Sequence, residues 1–478
     1  MTAGGQRDAS SIRAALDHPI IDADGHFVEI GPLLHDEVLT YLEDAGGARL
    51  RDRYMRGATA PTDTARNAAG RDEPSVRGDW RAMPSWWGWP THDARDRATG
   101  HLPALLYERL DELGIDFTIL YPSMSLAFLD ETDEELSSAL CRAVNRAHAR
   151  QFAPYRDRCT VGALIPMNTP DQAVEELRYA VRELDAKAVV IAGHVRRPVG
   201  RDGYRLDTFG VDSEHDYDPF WGACVELGVS PVAHSSLQHD RVTRSISSYV
   251  YNHIDGLAAA HESLCKSLFL GGVTRRFPDL RFGFLEGGVT WGCALFAGLV
   301  GHWEKRNGEA IATLDPDRLD VDALMGWFEK YGDDDVSARL DEIRAYYARP
   351  AARPARLDEF AACEIERVDD LRELFEPNFY FGCEADDPLI GWAFRDDVNP
   401  LGIRLRPVFG SDISHWDVPD MTEPVPEAYE LVEKGVLSER DFRELVFVNP
   451  VRLHAGANPK FFDGTACEAA VRTLLSDS

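Results

Sequence analysis

The chain has 478 residues, of which 44% are hydrophobic and 28% charged, a composition typical of a folded globular protein with a large core. Its formal net charge of −30 at pH 7 repels nucleic acids and anionic membrane surfaces, and no apolar run is long enough to span a bilayer. We therefore expect a small-molecule partner, and neither a nucleic acid nor a membrane.

The N-terminal segment and the cysteines both bear on the cellular compartment. Residues 1–18 lack the basic start, apolar middle and small-residue cleavage site of a secretory signal. The 8 cysteines are scattered with no C-x-x-C pair, which argues against a zinc finger or a disulfide framework. Both observations predict a cytoplasmic protein with reduced thiols.

Eight short apolar runs, separated by amphipathic segments, are predicted to form strands. They cover residues 19–26, 117–123, 159–167, 186–194, 230–236, 281–288, 379–386 and 407–415. A strand buried on both faces has such a continuous apolar run, and each run turns polar only at its C-terminal end, where the reactive groups of a (β/α)8 barrel lie. We therefore predict an α/β fold, a TIM barrel that forms one catalytic domain over residues 10–460. A doubly wound sheet would carry a G-x-G-x-x-G turn after the first strand, and ADGHFVEIG has none.

Two stretches between predicted strands are longer than the connections of a minimal (β/α)8 barrel. Residues 27–100 are rich in Arg, Asp, Gly and Pro and are predicted to form a lid-like insertion. This insertion contains four tryptophans, Trp80, Trp86, Trp87 and Trp89. Residues 303–376 alternate acidic and basic side chains at helical spacing, which predicts a helical insertion between the sixth and seventh strands for packing or subunit contact.

Polar residues at three predicted strand ends have the chemistry of a metal site. Asp24 and His26 end the first strand as a D-x-H pair, and residues two apart in a strand point to the same side. His234 ends the fifth strand and Asp412 the eighth. Two imidazoles and two carboxylates suit divalent zinc, manganese or iron. The alternative for Asp24 and His26 alone is a turn-capping acid beside a buried histidine.

The motifs IDADGH, PVAHSS, GGVTRRFPDLRFGFLEGG, FGSDISHWD and FVNPVRLHAG follow one another over about residues 19–456. In this order they resemble the amidohydrolase-related proteins grouped with aminocarboxymuconate semialdehyde decarboxylase. The resemblance implies a (β/α)8 barrel of the metal-dependent hydrolase type, commonly a homodimer. It also implies one divalent ion, zinc or manganese with iron as a further option, held by Asp24, His26, His234 and Asp412.

The chain departs from this family at two positions. Asp24 replaces the first histidine of the family's pair, which favours a harder ion such as manganese. Glu286 stands where the decarboxylases usually have a histidine at the end of the sixth strand. Because a carboxylate is an acid at neutral pH only when burial raises its pKa, this second departure weakens the decarboxylase interpretation.

These residues predict an enzyme that hydrolyses a small carboxylated or aromatic carbonyl compound, an amide, ester or lactone, with metal-activated water. Asp412 would take the proton from the water, and Glu286 or His194 would assist the leaving group. The alternative is a non-oxidative decarboxylase of an aromatic or enoic acid in which Glu286 donates the proton. A binding barrel without catalysis is the rival of another class.

Four further residues are candidates for substrate binding. Arg196 and Arg197 follow the fourth strand and either recognise a substrate carboxylate or lie in a solvated loop. His415 and Trp416 follow Asp412 and either line the pocket or cap and pack. Cys383 ends the seventh strand, but no base lies nearby in sequence, so we interpret it as pocket-lining rather than nucleophilic.

Overall fold

A computed structural model describes residues 7–56, 83, 90, 92–201, 203–234, 245–350, 352, 357–415 and 417–476. All four tryptophans of the predicted lid, and Trp416, lie outside these residues. Within them, no helix combines the length and the apolar character that crossing a membrane requires.

Eight parallel strands form one sheet in the order β1-β2-β3-β4-β7-β8-β9-β10. The ten strands are β1 Ile21–Phe27, β2 Phe117–Pro122, β3 Cys159–Leu164, β4 Ala188–Ile191, β5 Val195–Val199, β6 Gly203–Asp207, β7 Pro231–Ala233, β8 Phe282–Phe284, β9 Phe379–Glu384 and β10 Arg406–Gly410. The Asp412 N–H donates to the Asp24 carbonyl and the His26 N–H to the Ile413 carbonyl, at 3.0 and 3.1 Å, which brings β1 against β10. The predicted barrel and its eight strands are confirmed.

Helices alternate with the strands and surround the sheet. They are α1 Ala9–Ala15, α2 Gly31–Arg56, α3 Ala94–Thr99, α4 Pro103–Arg109, α5 Glu134–Phe152, α6 Pro170–Glu183, α7 Asp218–Leu227, α8 Tyr249–His253, α9 Gly256–Leu270, α10 Val273–Arg276, α11 Thr290–Arg306, α12 Val321–Tyr331, α13 Asp334–Ala338, α14 Leu340–Tyr347, α15 Val368–Phe375, α16 Pro424–Glu433, α17 Glu439–Arg443, α18 Asn449–Ala455 and α19 Glu468–Ser476. A π-helical turn, Glu444–Val448, joins α17 to α18. Short 3-10 helices span Ser125–Asp130, Ala153–Tyr155, Ala310–Leu314, Pro316–Arg318, Ala361–Cys363, Pro388–Phe394 and Pro400–Gly402.

The strands of the eight-stranded sheet are almost wholly buried because the barrel interior covers one face of the sheet and the helices cover the other. Every residue of β1 and β2 is buried, and the interior is filled by large rings. The helices bury one stripe each, as in α6, whose Thr169 side chain caps the N-terminus ahead of Pro170. The strands therefore fix where each polar C-terminal end emerges.

The antiparallel hairpin of β5 and β6 was not among the predicted strands. It follows β4 directly and turns at Gly200, whose φ of +65° is the left-handed conformation that glycine adopts without strain. Its sequence reads as a polar loop because β5 contains Arg196, Arg197 and Pro198. The hairpin lies at the barrel end where β4 terminates.

Candidate metal centre

A bulge in β1 sets the positions of Asp24 and His26. Asp22 pairs with Thr118 of β2 and Gly25 with Leu120, so three steps along β1 match two along β2. Asp24 and His26 are both buried at the C-terminal end of this strand. The His26 ring is oriented by Ser123, whose Oγ lies 3.5 Å from Nδ1. Because Nδ1 faces Ser123, Nε2 of His26 faces the centre of the barrel.

Four further donor atoms surround His26 Nε2. His234 Nε2 lies 3.1 Å away, and the carboxylates approach through Glu286 Oε1 at 3.2 Å, Asp412 Oδ1 at 3.3 Å and Asp24 Oδ1 at 3.6 Å. Ligand atoms about 2.1 Å from one zinc ion lie roughly 3–4 Å from one another. Each of the four donor atoms therefore lies at ligand spacing from His26 Nε2. The ligand atoms form two groups that share His26, one with Asp24 and His234 and one with Glu286, Asp412 and His415.

The three carboxylate oxygens that converge here lack ordinary partners. Oδ1 of Asp24, Oε1 of Glu286 and Oδ1 of Asp412 are buried and accept no hydrogen bond of good geometry from the residues that the structure describes. Three buried carboxylates without a cation would be very costly, whereas a divalent ion would offset their charge. The donor set therefore fits a divalent metal of the zinc or manganese type.

The electrostatics of the isolated side chains agree with this assignment. Burial raises the pKa of Asp24 well above its usual value, and Glu286 adds to the effect. Burial, Asp417 and Glu286 likewise raise the pKa of Asp412. Burial lowers the pKa of His26 to about 4, so its imidazole is neutral at neutral pH and keeps a lone pair for a metal.

His415 completes the group that His26 forms with Glu286 and Asp412. Its ring stacks on that of His26 with centroids 4.4 Å apart, and its Nδ1 lies 3.1 Å from Asp412 Oδ2. Glu286 and Asp417 carboxylate oxygens follow at 3.4 and 3.6 Å. Burial would lower the pKa of His415, but Glu286 and Asp417 outweigh it and raise that pKa above its usual value. His415 is therefore a candidate proton carrier.

Two of these residues have strained backbones. Glu286 follows β8 with φ of 54°, and Asp412 follows β10 with φ of 47°. Non-glycine residues rarely adopt this left-handed conformation, which costs of order 1–3 kcal/mol and is concentrated at functional sites. The strain turns both side chains out of the strand direction just where the strands end.

The sequence matches the family model described as Amidohydrolase over residues 21–354, well over half of the chain. The chain belongs to the amidohydrolase family. It is an enzyme of the amidohydrolase type, and its donor set fits a single divalent ion, zinc or manganese.

Several solved structures are similar to this amidohydrolase at low sequence identity. An amidohydrolase from Mycobacterium avium subsp. paratuberculosis K-10 is 18% identical with a TM-score of 0.52, over 92% of this chain and 100% of that one. A 2,6-dihydroxybenzoate decarboxylase from Rhizobium is 16% identical with a TM-score of 0.46, over 91% and 98%. A manganese-bound dihydroxybenzoic acid decarboxylase from Polaromonas sp. JS666 is 17% identical with a TM-score of 0.47, over 93% and 99%.

The remaining predicted site residues of this amidohydrolase lie outside the converging set. His194 is buried just beyond β4, but it is not among the described residues whose ligand atoms meet. Cys383 is buried in β9, and burial raises the pKa of its thiol, which disfavours a nucleophilic role.

The two arginines belong to the hairpin. Arg197 is buried and donates to Asp207 Oδ2, to the Asn168 carbonyl and to the Tyr217 hydroxyl at 3.0, 2.6 and 2.8 Å. These contacts favour a structural role over recognition of a substrate carboxylate. Arg196 lies over the Tyr204 ring on the other strand of the hairpin.

Some functional features were missed by sequence reasoning. Glu286 was assigned to catalysis alone, although its oxygen lies as near to His26 as those of the predicted ligands. Asp22, buried in the middle of β1, was passed over. The available signal for Asp22 was an acid inside an otherwise apolar strand, which requires a buried partner.

Two cavities adjoin the centre. One of about 270 Å³ is lined by Asp412 and Asp417, and one of about 340 Å³ by Glu286 and Thr290, with Glu384 bordering both. The described residues that line these cavities include many carboxylates and no lysine or arginine. As far as the structure describes them, the immediate surroundings of the centre are thus strongly acidic.

Proposed function

We propose that this amidohydrolase is a metal-dependent hydrolase of a small, uncharged carbonyl compound such as an amide, ester or lactone. Asp24, His26, His234, Glu286 and Asp412 would hold the ion. When bound, such an ion lowers the pKa of a water molecule and polarises a carbonyl oxygen. The proposal adds Glu286 to the four ligands expected from the sequence.

The acidic surroundings of the centre carry this proposal. A decarboxylase must bind an anionic carboxylate, and the cavity carboxylates beyond those that would hold the ion repel such a substrate. The described walls of both cavities supply carboxylates and no lysine or arginine. A neutral amide, ester or lactone meets no such penalty, and this difference favours hydrolysis.

Proton transfer is assigned to two side chains. Asp412 lies at the centre and has its second oxygen, Oδ2, 3.1 Å from Nδ1 of His415. Asp412 would take a proton from the attacking water, and His415 would hold that proton for the leaving group. Because His415 also contacts the carboxylates of Glu286 and Asp417, its positive form is stabilised in place.

Non-oxidative decarboxylation is the second candidate, and His415 favours it. A carboxy-lyase needs an acid that protonates the carbon from which carbon dioxide leaves. Glu286 would be a metal ligand, but the His415 imidazole, which is surrounded by carboxylates, can supply that proton instead.

The cytoplasmic location and the homodimer that the sequence predicts remain predictions.

Isotope labelling separates the two reactions. The manganese- or zinc-loaded enzyme is incubated in H₂¹⁸O with a panel of lactones, amides and esters, and in D₂O with a panel of hydroxybenzoic acids. Hydrolysis places one ¹⁸O atom from water in the new carboxyl group. Release of carbon dioxide from a benzoate, with deuterium at the vacated carbon and no hydrolysis of the first panel, would replace the hydrolase by the carboxy-lyase.

A further inference from the structure

Asp22 lies in the middle of β1 and its carboxylate is fully buried. Its Oδ1 accepts hydrogen bonds from the backbone N–H groups of Ser411 and Asp24, at 2.9 and 3.2 Å. Its Oδ2 accepts from the hydroxyls of Ser411 and Thr118, both at 2.7 Å. One carboxylate therefore joins β1, β2 and the segment after β10.

Three of these four bonds end at a proposed metal ligand or at its neighbour in sequence. Asp24 is itself a ligand, and Ser411 directly precedes Asp412. The Ser411 hydroxyl also accepts from the Ile413 N–H at 3.3 Å, so both neighbours of Asp412 are tied to this network. The network lies at the seam, by which we mean the junction of β1 with the end of β10. Asp24 and Asp412, which come from opposite ends of the sequence, meet there.

The bulge in β1 explains why an acid is needed here. A bulge removes regular ladder partners and leaves backbone N–H groups that require another acceptor. The carboxylate of Asp22 accepts from the Asp24 N–H within β1 and from the Ser411 N–H across the seam. The apolar neighbours Ile21 and Ala23 are equally buried but offer no side-chain acceptor.

The local sequence leaves room for this carboxylate. A Cβ atom at Gly25 would lie 2.5 Å from Asp22 Oδ2 and 2.6 Å from Thr118 Oγ1. Real Cβ atoms do not come this close to such neighbours, so any larger residue at this position would displace the carboxylate. Gly25 and Asp22 thus act together within the motif IDADGH.

We infer that Asp22 is a positioning residue for the metal centre: it holds Asp24 and Asp412 at the separation that one ion requires. The inference rests on the proposed metal centre. Asp22 would act indirectly, through the backbone of Asp24 and through Ser411, which precedes Asp412. Residues that orient metal ligands in this way typically change metal affinity 10- to 100-fold when they are replaced.

The test compares metal affinity in folded variants. Asp22→Asn replaces the carboxylate that accepts from the Ser411 and Thr118 hydroxyls with an amide. Ser411→Ala removes one of these hydroxyls and leaves Asp22 intact. Dissociation constants for manganese and zinc are measured by competition with a chromogenic chelator, after circular dichroism has confirmed folding. We expect each variant to bind at least about 10-fold more weakly, and the double variant to lose less than the product of the two effects because both belong to one network.

Glu176→Gln is the matched control. Glu176 is a buried carboxylate of α6 that accepts from Arg142 and Asn145, so its replacement disturbs a buried network among the helices and leaves the seam unchanged. Its metal affinity should equal that of the native protein even if its melting temperature falls. Native affinity in Asp22→Asn and Ser411→Ala would overturn the positioning role, whereas failure of the native protein to bind either ion would overturn the metal centre itself.

Discussion

The metal centre has an inner and an outer group of side chains that reach it by different means. The inner group, Asp24, His26 and His234, lies in a strand or directly at its end and is wholly buried. The outer group, Glu286, Asp412 and His415, lies on the loops after β8 and β10, where Glu286 and Asp412 have left-handed backbones. Ordinary strand geometry places the inner group, whereas the outer group depends on strained turns.

This difference suggests a division of labour. Rigid strand positions give precise ligands, and strained loop positions bring carboxylates and a proton carrier to the same point from the other side. His26 belongs to both sets, because its Nε2 faces the inner ligands while its ring stacks on His415. The predictions that follow separate the contributions of the two groups. Effects on metal affinity come first, from the larger to the smaller, and effects on turnover and on stability follow.

Removal of an inner ligand should have the largest effect on metal affinity. His26→Ala or His234→Ala should weaken metal binding by about 30- to 700-fold, since a binding energy of about 10–16 kcal/mol shared among four or five ligands gives about 2–4 kcal/mol to each. Elemental analysis after dialysis measures the loss. His302→Ala, which removes an exposed histidine of α11, should keep about one ion per chain. Stoichiometric metal in both inner variants would refute the site.

Replacement of Glu286, one of the two carboxylates of the outer group, should have the next largest effect on metal affinity. Glu286→Gln keeps the shape but removes one negative donor, and we expect metal affinity to fall by roughly 10- to 100-fold. Glu384→Gln is the matched control, because Glu384 ends the adjacent strand β9 and borders the same cavity without joining the donor set. Equal affinities in the two variants would return Glu286 to a purely catalytic role.

His415 should affect turnover without affecting the metal. His415→Asn removes the proton carrier while leaving the five ligands in place, so kcat should fall by about 10²- to 10⁴-fold with near-native metal content. Turnover and elemental analysis on the same sample measure both quantities. Loss of metal in parallel with kcat would show instead that His415 supports the ligand cluster.

The smallest effect is on the pH dependence of stability. It concerns His454, which is buried for packing and lies outside the metal centre. His454 stacks on Phe461, and burial lowers its pKa to about 3. Because the unfolded chain binds this proton near pH 6.5, the stability of the folded state decreases as the pH falls below that value, by up to about 1.4 kcal/mol per pH unit. Denaturant unfolding between pH 7 and 4 should show a shallower decline for His454→Phe, and an unchanged slope would contradict the assignment.

The inner group was predictable because strand periodicity and polarity place it. An apolar run that ends in Asp24 and His26, or in His234, indicates both the strand and the end from which its side chains project. The structure confirms the fold that this argument predicted. Asp22 could have been found by the same reasoning, since an acid inside a buried strand requires several donors.

The outer group was harder to predict because φ at a strand end is not encoded in a simple pattern. Glu286 read as a proton donor because sequence alone does not show that a left-handed turn directs it to His26. The hairpin of β5 and β6 was missed because two arginines and a proline read as a loop. Arg197 satisfies its charge internally with Asp207, which only three-dimensional structure reveals.

Anomalous diffraction from crystals of the manganese-loaded protein tests the central claim most directly. The account predicts one strong peak per chain, with Asp24, His26, His234, Glu286 and Asp412 each contributing an atom at about 2.0–2.3 Å. His415 should remain beyond that distance. A peak elsewhere, or one that Glu286 does not reach while the other four do, would contradict the five-ligand centre.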